Sequence, residues 1–128
     1  MPELTYLACP YTHQDREMMV TRFLMVNKIA SKLMAEGKYI FSPISHTHPI
    51  AEAGNLPRGW DYWEGYDRRI LKSCDRIIVL KLPGWKESKG VQAEIKIGEE
   101  FDIPVDYLDY DIEEYQKLLV KMYNFHSQ

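Results

Sequence analysis

Four short apolar segments alternate along the chain with longer segments whose apolar residues recur at helical spacing. The apolar segments span residues 4–9, 39–42, 75–81 and 103–108. Strands that alternate with helices indicate a parallel sheet with helices on both faces, because each parallel connection must cross over the sheet. Right-handed crossovers then favour a doubly wound strand order. The sequence therefore predicts an α/β fold, a three-layer, flavodoxin-like parallel sheet of four to five strands.

The size and charge of the chain limit the classes of function that it can have. Its 128 residues predict a single domain over residues 1–128. A net charge of −3 gives no electrostatic basis for nonspecific binding to nucleic acid. No apolar run approaches the roughly 20 residues that cross a membrane, and the N-terminus leads into a strand without a signal peptide. We therefore expect a cytoplasmic protein with neither nucleic acid nor membrane as its partner.

Two carboxylates, Asp67 and Glu94, lie on the apolar faces of their predicted helices. Residues three or four apart share a helix face. The neighbours of Glu94 at these spacings are Gly90, Val91, Ile97 and Gly98, and the apolar neighbours of Asp67 are Trp63, Ile70 and Leu71. A buried, unpaired carboxylate costs several kcal/mol or has a raised pKa. A structural acid satisfied by a helix cap or an arginine is the alternative for each, but two acids flanking one strand favour a functional site.

Three connections are expected to meet beyond the carboxyl ends of the strands, where ligands bind in such sheets. They span residues 10–13, 43–59 and 82–90. Residues 44–59 are predicted to form an irregular loop. Such a long loop in a compact domain is either a functional lid or a disordered excursion, and the lid is favoured by the polar side chains of His46, His48, Asn55 and Arg58.

Several residues of these connections are candidates for contacts with a ligand. His46 and His48 lack a third ligand of suitable spacing, so a hydrogen bond from one of them to a substrate or to a carboxylate is favoured over a metal site. Tyr11 is either a packed loop aromatic or a site residue. Ser88 is either a helix cap or a phosphate ligand, and the two roles are compatible because a helix N-terminus attracts anions. Cys9 and Cys74 have no metal-site spacing and fit reduced, packed thiols.

Four sequence segments together resemble the nucleoside 2-deoxyribosyltransferase superfamily. They are Tyr-Leu-Ala-Cys-Pro-Tyr at 6–11, Pro-Ile-Ser-His at 43–46, Asp67 followed by Cys-Asp-Arg-Ile-Ile-Val at 74–79, and Ser-Lys-Gly-Val-Gln-Ala-Glu at 88–94. The last segment is the most specific. The chain is most similar to small uncharacterised members of that superfamily and to its deoxynucleoside monophosphate N-glycosidases. The loop at residues 9–12 differs from the glycine- and arginine-rich loop typical of those N-glycosidases.

The resemblance implies roles for particular residues. Glu94 would be the nucleophile, and Asp67 would assist at the nucleobase or orient the sugar. Ser88 and Gly90 would contact a 5′-phosphate, with His46 nearby. The resemblance also makes a homo-oligomer plausible, because such transferases often borrow residues from a neighbouring subunit.

The resulting hypothesis is an enzyme that cleaves or transfers the N-glycosidic bond of a (deoxy)nucleoside or its 5′-monophosphate. Tyr6, Tyr11 and His46 would position this small-molecule substrate. The chemistry requires neither a metal nor an organic cofactor, because a carboxylate stabilises an oxocarbenium-like transition state and a second acid protonates the leaving base. The alternatives are a nucleotide-binding or sensing module without turnover, and a structural or interaction domain that keeps only the fold.

Overall fold

Parallel strands and covering helices alternate in the computed structural model, which describes residues 2–127, with side chains through residue 122. Within these residues four strands form one parallel sheet in the order β2-β1-β3-β4. The elements are β1 (Leu4–Ala8), α1 (Arg16–Ala35), β2 (Tyr39–Phe41), α2 (Pro43–Gly54), α3 (Trp60–Leu71), β3 (Arg76–Leu80), α4 (Lys89–Glu100), β4 (Val105–Leu108) and α5 (Ile112–Ser127). The predicted α/β class, parallel sheet and flavodoxin-like order are confirmed.

Two apolar cores lie on opposite faces of the sheet. Alternate residues of a strand point to opposite faces, so Leu7 faces one core and Tyr6 faces the other. The first core contains α1 and α5, and the second contains α3 and α4. The two cores give the three predicted layers. Within residues 2–127 no helix combines the length and the apolar character that crossing a bilayer requires.

The prediction that residues 44–59 form an irregular loop is wrong for most of the segment. Residues Pro43–Gly54 form α2, and the irregular connection is confined to residues 55–59. Pro43 occupies the first turn of the helix, where a missing N–H costs nothing. Ile44, His48 and Ala51 are buried, and their spacings of four and three residues give α2 one inward face. This burial stabilises a helix that contains a second proline, Pro49.

Helix α4 packs so closely on the sheet that Gly98 has no room for a side chain. A Cβ atom there would lie 2.7 Å from Ile77 Cδ1 and 3.1 Å from Val105 Cγ2. The short approach of α4 to β3 and β4 fixes the depth at which Glu94, one turn earlier, lies above the sheet.

Gly98→Ala is therefore expected to destabilise the protein by about 1–2 kcal/mol, because overpacking outweighs the gain in helix propensity. Gly65 in α3 is the matched control, since no described atom beyond its own stretch of helix backbone lies within 4 Å of the place that a Cβ atom would occupy. Gly65→Ala should stabilise the protein by up to about 1 kcal/mol. Urea unfolding measures both, and equal effects of the two substitutions would contradict close packing at Gly98.

Candidate active site

A cavity of about 390 Å³ lies at the carboxyl ends of the strands. This volume falls within the range of small-molecule sites. All three predicted connections contribute to its wall, which confirms that they meet there. The lining residues include Tyr11, Thr12, Ile44, His48, Arg58, Trp60, Trp63, Asp67, Ser88, Gly90 and Glu94. The fold therefore brings most of the chemically active side chains predicted from the sequence to one place.

Asp67 and Glu94 are both buried and both line this cavity. Their exposed fractions are 8% and 5%. Asp67 comes from α3 and Glu94 from α4, which pack side by side on the same face of the sheet. The prediction that both acids lie on apolar helix faces is therefore confirmed. Asp67 Oδ1 is buried and has no hydrogen-bond partner among the residues that the structure describes.

Burial raises the pKa of both acids far above that of an exposed carboxyl group. Desolvation raises the pKa of Asp67 to about 7. The pKa of Glu94 is raised to about 8, mainly by desolvation. The Tyr6 hydroxyl group lowers this pKa, and the negative charge of the nearby Asp67 raises it further. Two interacting acids titrate as a pair, so this pair holds roughly one proton near pH 7.5. One carboxylate and one carboxylic acid are thus present together at neutral pH.

Tyr6 lies beneath the acids rather than in the cavity wall. Its side chain is fully buried in β1, and burial together with the neighbouring Glu94 raises its pKa. Its hydroxyl group makes no hydrogen bond of good geometry to any described residue, yet it lies close enough to Glu94 to favour the ionised carboxylate. The predicted role of Tyr6 in positioning a substrate therefore becomes indirect, through Glu94.

Ser88 and Gly90 form the part of the wall where α4 begins. The Ser88 hydroxyl oxygen accepts a hydrogen bond from the Val91 N–H at 3.2 Å, so the predicted helix cap is confirmed. Both residues line the cavity. A helix N-terminus attracts anions through its N–H groups and dipole. This end of the cavity suits a phosphate or another anion.

The structure places His46 outside the cavity and His48 inside it. His46 is exposed on the outer side of α2, where its Nε2 atom lies 3.0 Å from the Tyr66 hydroxyl group. His48 is 7% exposed, lines the cavity, and has its Nδ1 atom 2.5 Å from the Tyr11 hydroxyl group. The structure thus brings Tyr11 to the site as predicted, with His48 rather than His46 beside it.

Three residues that are not among the site residues predicted from the sequence also line the cavity, namely Arg58, Trp60 and Trp63. Arg58 is fixed by Glu52, whose carboxylate oxygen lies 3.5 Å from its guanidinium group. The Trp63 indole N–H donates to the Pro57 carbonyl oxygen at 2.8 Å. Trp60 and Trp63 come directly after the connection of residues 43–59, which the sequence places beyond the carboxyl ends of the strands. Their position in the chain could therefore have identified them as candidates for the site.

A buried arginine on the other face, Arg22, joins two of the loops that form the cavity. Its Nη1 atom donates to the carbonyl oxygens of Tyr11 and Thr12, each at 3.2 Å, and its Nη2 atom donates to the Pro83 carbonyl oxygen at 3.0 Å. Gly84 has a positive φ of 95°, and a Cβ atom there would lie 2.7 Å from Nη2. Arg22 therefore holds the loop after β1 against the loop after β3.

Among the described residues, no three His, Cys, Asp or Glu side chains are grouped closely enough to hold a metal ion.

Comparison with known proteins identifies the family of the chain. A family model described as a domain of unknown function, DUF1937, matches residues 3–109. A search of curated proteins finds no match. The family match covers every strand of the sheet and the loops that line the cavity. The chain is therefore a member of the DUF1937 family.

Proposed function

We propose that this protein cleaves or transfers the N-glycosidic bond of a (deoxy)nucleoside or its 5′-monophosphate. The single observation that carries the proposal is the pair of buried carboxyl groups, Asp67 and Glu94, in one ligand-sized cavity. Buried acids with raised pKa values are concentrated at catalytic sites. The resemblance of residues 88–94 to the nucleoside 2-deoxyribosyltransferase motif supports the same chemistry.

Glu94 is assigned as the nucleophile. Its carboxylate attacks C1′ of the sugar while the bond from C1′ to the base nitrogen breaks and leaves its electron pair on the base. The Tyr6 hydroxyl favours the ionised form of Glu94. A water molecule or a second base then attacks C1′, and the Glu94 carboxylate leaves.

Asp67 is assigned as the group that handles the proton. A pKa of about 7 allows it to carry a proton at neutral pH and to give that proton to the departing base. The reactive form of the pair then contains an ionised Glu94 and a protonated Asp67. Glu94 has the higher pKa, so this is the less populated arrangement of the one proton that the two acids share, and the Tyr6 hydroxyl group favours it. The deprotonated Asp67 can next accept a proton from the attacking water or receive one from the second base.

The other walls of the cavity support a nucleotide as the substrate. The N-terminal end of α4, with Ser88 and Gly90, suits the 5′-phosphate. Trp60 and Trp63 offer aromatic surfaces, and aromatic side chains stack on nucleobases. Assembly as a homo-oligomer and a location in the cytoplasm stay predictions from the sequence.

Incubation with a panel of nucleosides, deoxynucleosides and their 5′-monophosphates at about pH 7.5, where the pair holds roughly one proton, tests the proposal. Chromatography should detect free base from at least one compound, and a second added base should reveal any exchange. If calorimetry shows binding and no base appears, the protein is a nucleotide-binding module and the enzymatic proposal is wrong. If neither binding nor base release occurs, the substrate class itself is wrong.

A further inference from the structure

Three side chains from two segments form a chain of contacts, and two of them, Tyr11 and His48, line the cavity. The Tyr11 hydroxyl group lies 2.5 Å from His48 Nδ1, and His48 Nε2 lies 3.7 Å from Glu52 Oε1. The imidazole stacks on Phe23, with ring centroids 4.3 Å apart. We call Tyr11, His48 and Glu52 the tyrosine relay.

The surroundings of His48 decide which ring nitrogen carries the proton. Burial lowers the pKa of His48, and the cations Arg58 and Arg16 add to this effect although Glu52 opposes it, so the ring is neutral at pH 7. Arg16 holds the pKa of Glu52 below its usual value, so Glu52 is ionised. A carboxylate on the Nε2 side favours the tautomer with its proton on Nε2, and Nδ1 must then accept a hydrogen bond.

Hydrogen-bond accounting then fixes the role of the Tyr11 hydroxyl group. A tyrosine hydroxyl has one proton and two acceptor positions, and its proton is directed to His48 Nδ1. The acceptor positions that remain can only receive a hydrogen bond. A ligand group that meets Tyr11 must therefore be a donor.

We propose that the tyrosine relay selects substrates by presenting the Tyr11 oxygen as an obligate acceptor for a sugar hydroxyl group. This inference rests on the proposed function for the identity of the ligand. A nucleotide with C1′ at Glu94 and its phosphate at Ser88 has its secondary hydroxyl groups as the remaining donors of the sugar. In a 2′-deoxynucleotide that donor is the 3′-hydroxyl group. Tyr11 is a binding residue, and His48 and Glu52 are positioning residues.

The kinetic test compares a 2′-deoxynucleoside, or its monophosphate, with the matching 2′,3′-dideoxy compound. For the wild type, kcat/KM should be about 100-fold higher for the compound with the 3′-hydroxyl group, since a site that binds a hydroxyl group rejects an analogue lacking it. Tyr11→Phe should abolish this ratio by lowering only the activity on the deoxy compound. The dideoxy compound is the internal control for folding. Equal loss on both compounds would overturn the assignment to the sugar.

Tyr66→Phe is the matched control, because it removes a hydroxyl group that contacts a histidine outside the cavity. It should leave the ratio unchanged. His48→Phe should reduce the ratio as Tyr11→Phe does, and Glu52→Gln should give an intermediate ratio. If the ratio of kcat/KM values in the His48→Phe variant equals that of the wild type, the tyrosine relay is refuted.

The tautomer can be measured without any substrate, which separates this inference from the proposed function. Nitrogen-15 NMR of the histidines should show an unprotonated Nδ1 and a protonated Nε2 for His48, and Glu52→Gln should shift the ring toward a mixture of tautomers. A proton on Nδ1 in the wild type overturns the inference. If no compound releases base, calorimetry measures the Kd of the same deoxy and dideoxy compounds, and the Kd values replace kcat/KM in the comparison. Equal Kd values for the two compounds overturn the inference.

Discussion

Glu94→Gln is expected to reduce base release by at least roughly 1000-fold, because glutamine keeps the shape of the side chain but cannot form the bond to C1′. The measurement is the rate of base release on the best compound of the panel, followed by chromatography. Residual activity close to that of the wild type would show that Glu94 is not the nucleophile.

Glu99→Gln is the matched control for this experiment. Glu99 lies in the same helix and is exposed, so the same chemical change occurs outside the cavity. It should leave the rate of base release unchanged. A similar loss in both variants would point to a general effect on α4 instead of a role in the reaction.

The same Glu94→Gln substitution is expected to stabilise the folded protein at alkaline pH. The pKa of Glu94 rises from an ordinary 4.5 to about 8 on folding. Between these values the folded protein binds a proton that the unfolded chain has released. The contribution of Glu94 to stability is therefore fully present below about pH 4.5 and is lost as the pH rises to about 8.

Glutamine does not titrate, so the variant escapes this loss. The difference in the free energy of unfolding between variant and wild type should grow by a few kcal/mol from about pH 5 to about pH 9, which corresponds to roughly 10–15 °C in Tm. Thermal unfolding at the two pH values measures it, with Glu99→Gln as the control. Parallel Tm curves for Glu94→Gln and wild type would mean that the Glu94 carboxyl is well solvated.

The fold and the acid pair were predictable because both depend on local spacing. The strands are bounded by prolines and polar residues, and the observed limits differ from the predicted ones by one or two residues. The burial of Asp67 and Glu94 follows from their apolar neighbours one helical turn away. A helix face is set by nearby residues, so a single sequence suffices to find it.

The sequence did not predict that His48 lies inside the cavity and His46 outside it, because the segment was interpreted as a loop. Only after Pro43–Gly54 is known to be helical does the spacing of Ile44, His48 and Ala51 direct His48 inward. Two prolines and several polar residues made a loop the simpler interpretation, and burial against the sheet outweighed those preferences.

The role of Arg22 depends on residues far away in the chain. Its partners are the carbonyl groups of Tyr11, Thr12 and Pro83. Backbone carbonyl groups leave no mark in a sequence, because every residue has one. The burial of this cation therefore could not be inferred from residue types.

The position of Arg22 also determines how the protein can open. Separating the loop after β1 from the loop after β3 would break three hydrogen bonds to the guanidinium group of Arg22. The two loops are therefore expected to move together as one unit. A motion of α2 and the short connection after it, relative to these two loops, would break the contact between Tyr11 and His48 and the hydrogen bond from the Thr12 hydroxyl group to the Arg58 carbonyl oxygen. Admission of a small molecule between them therefore requires these two contacts to open.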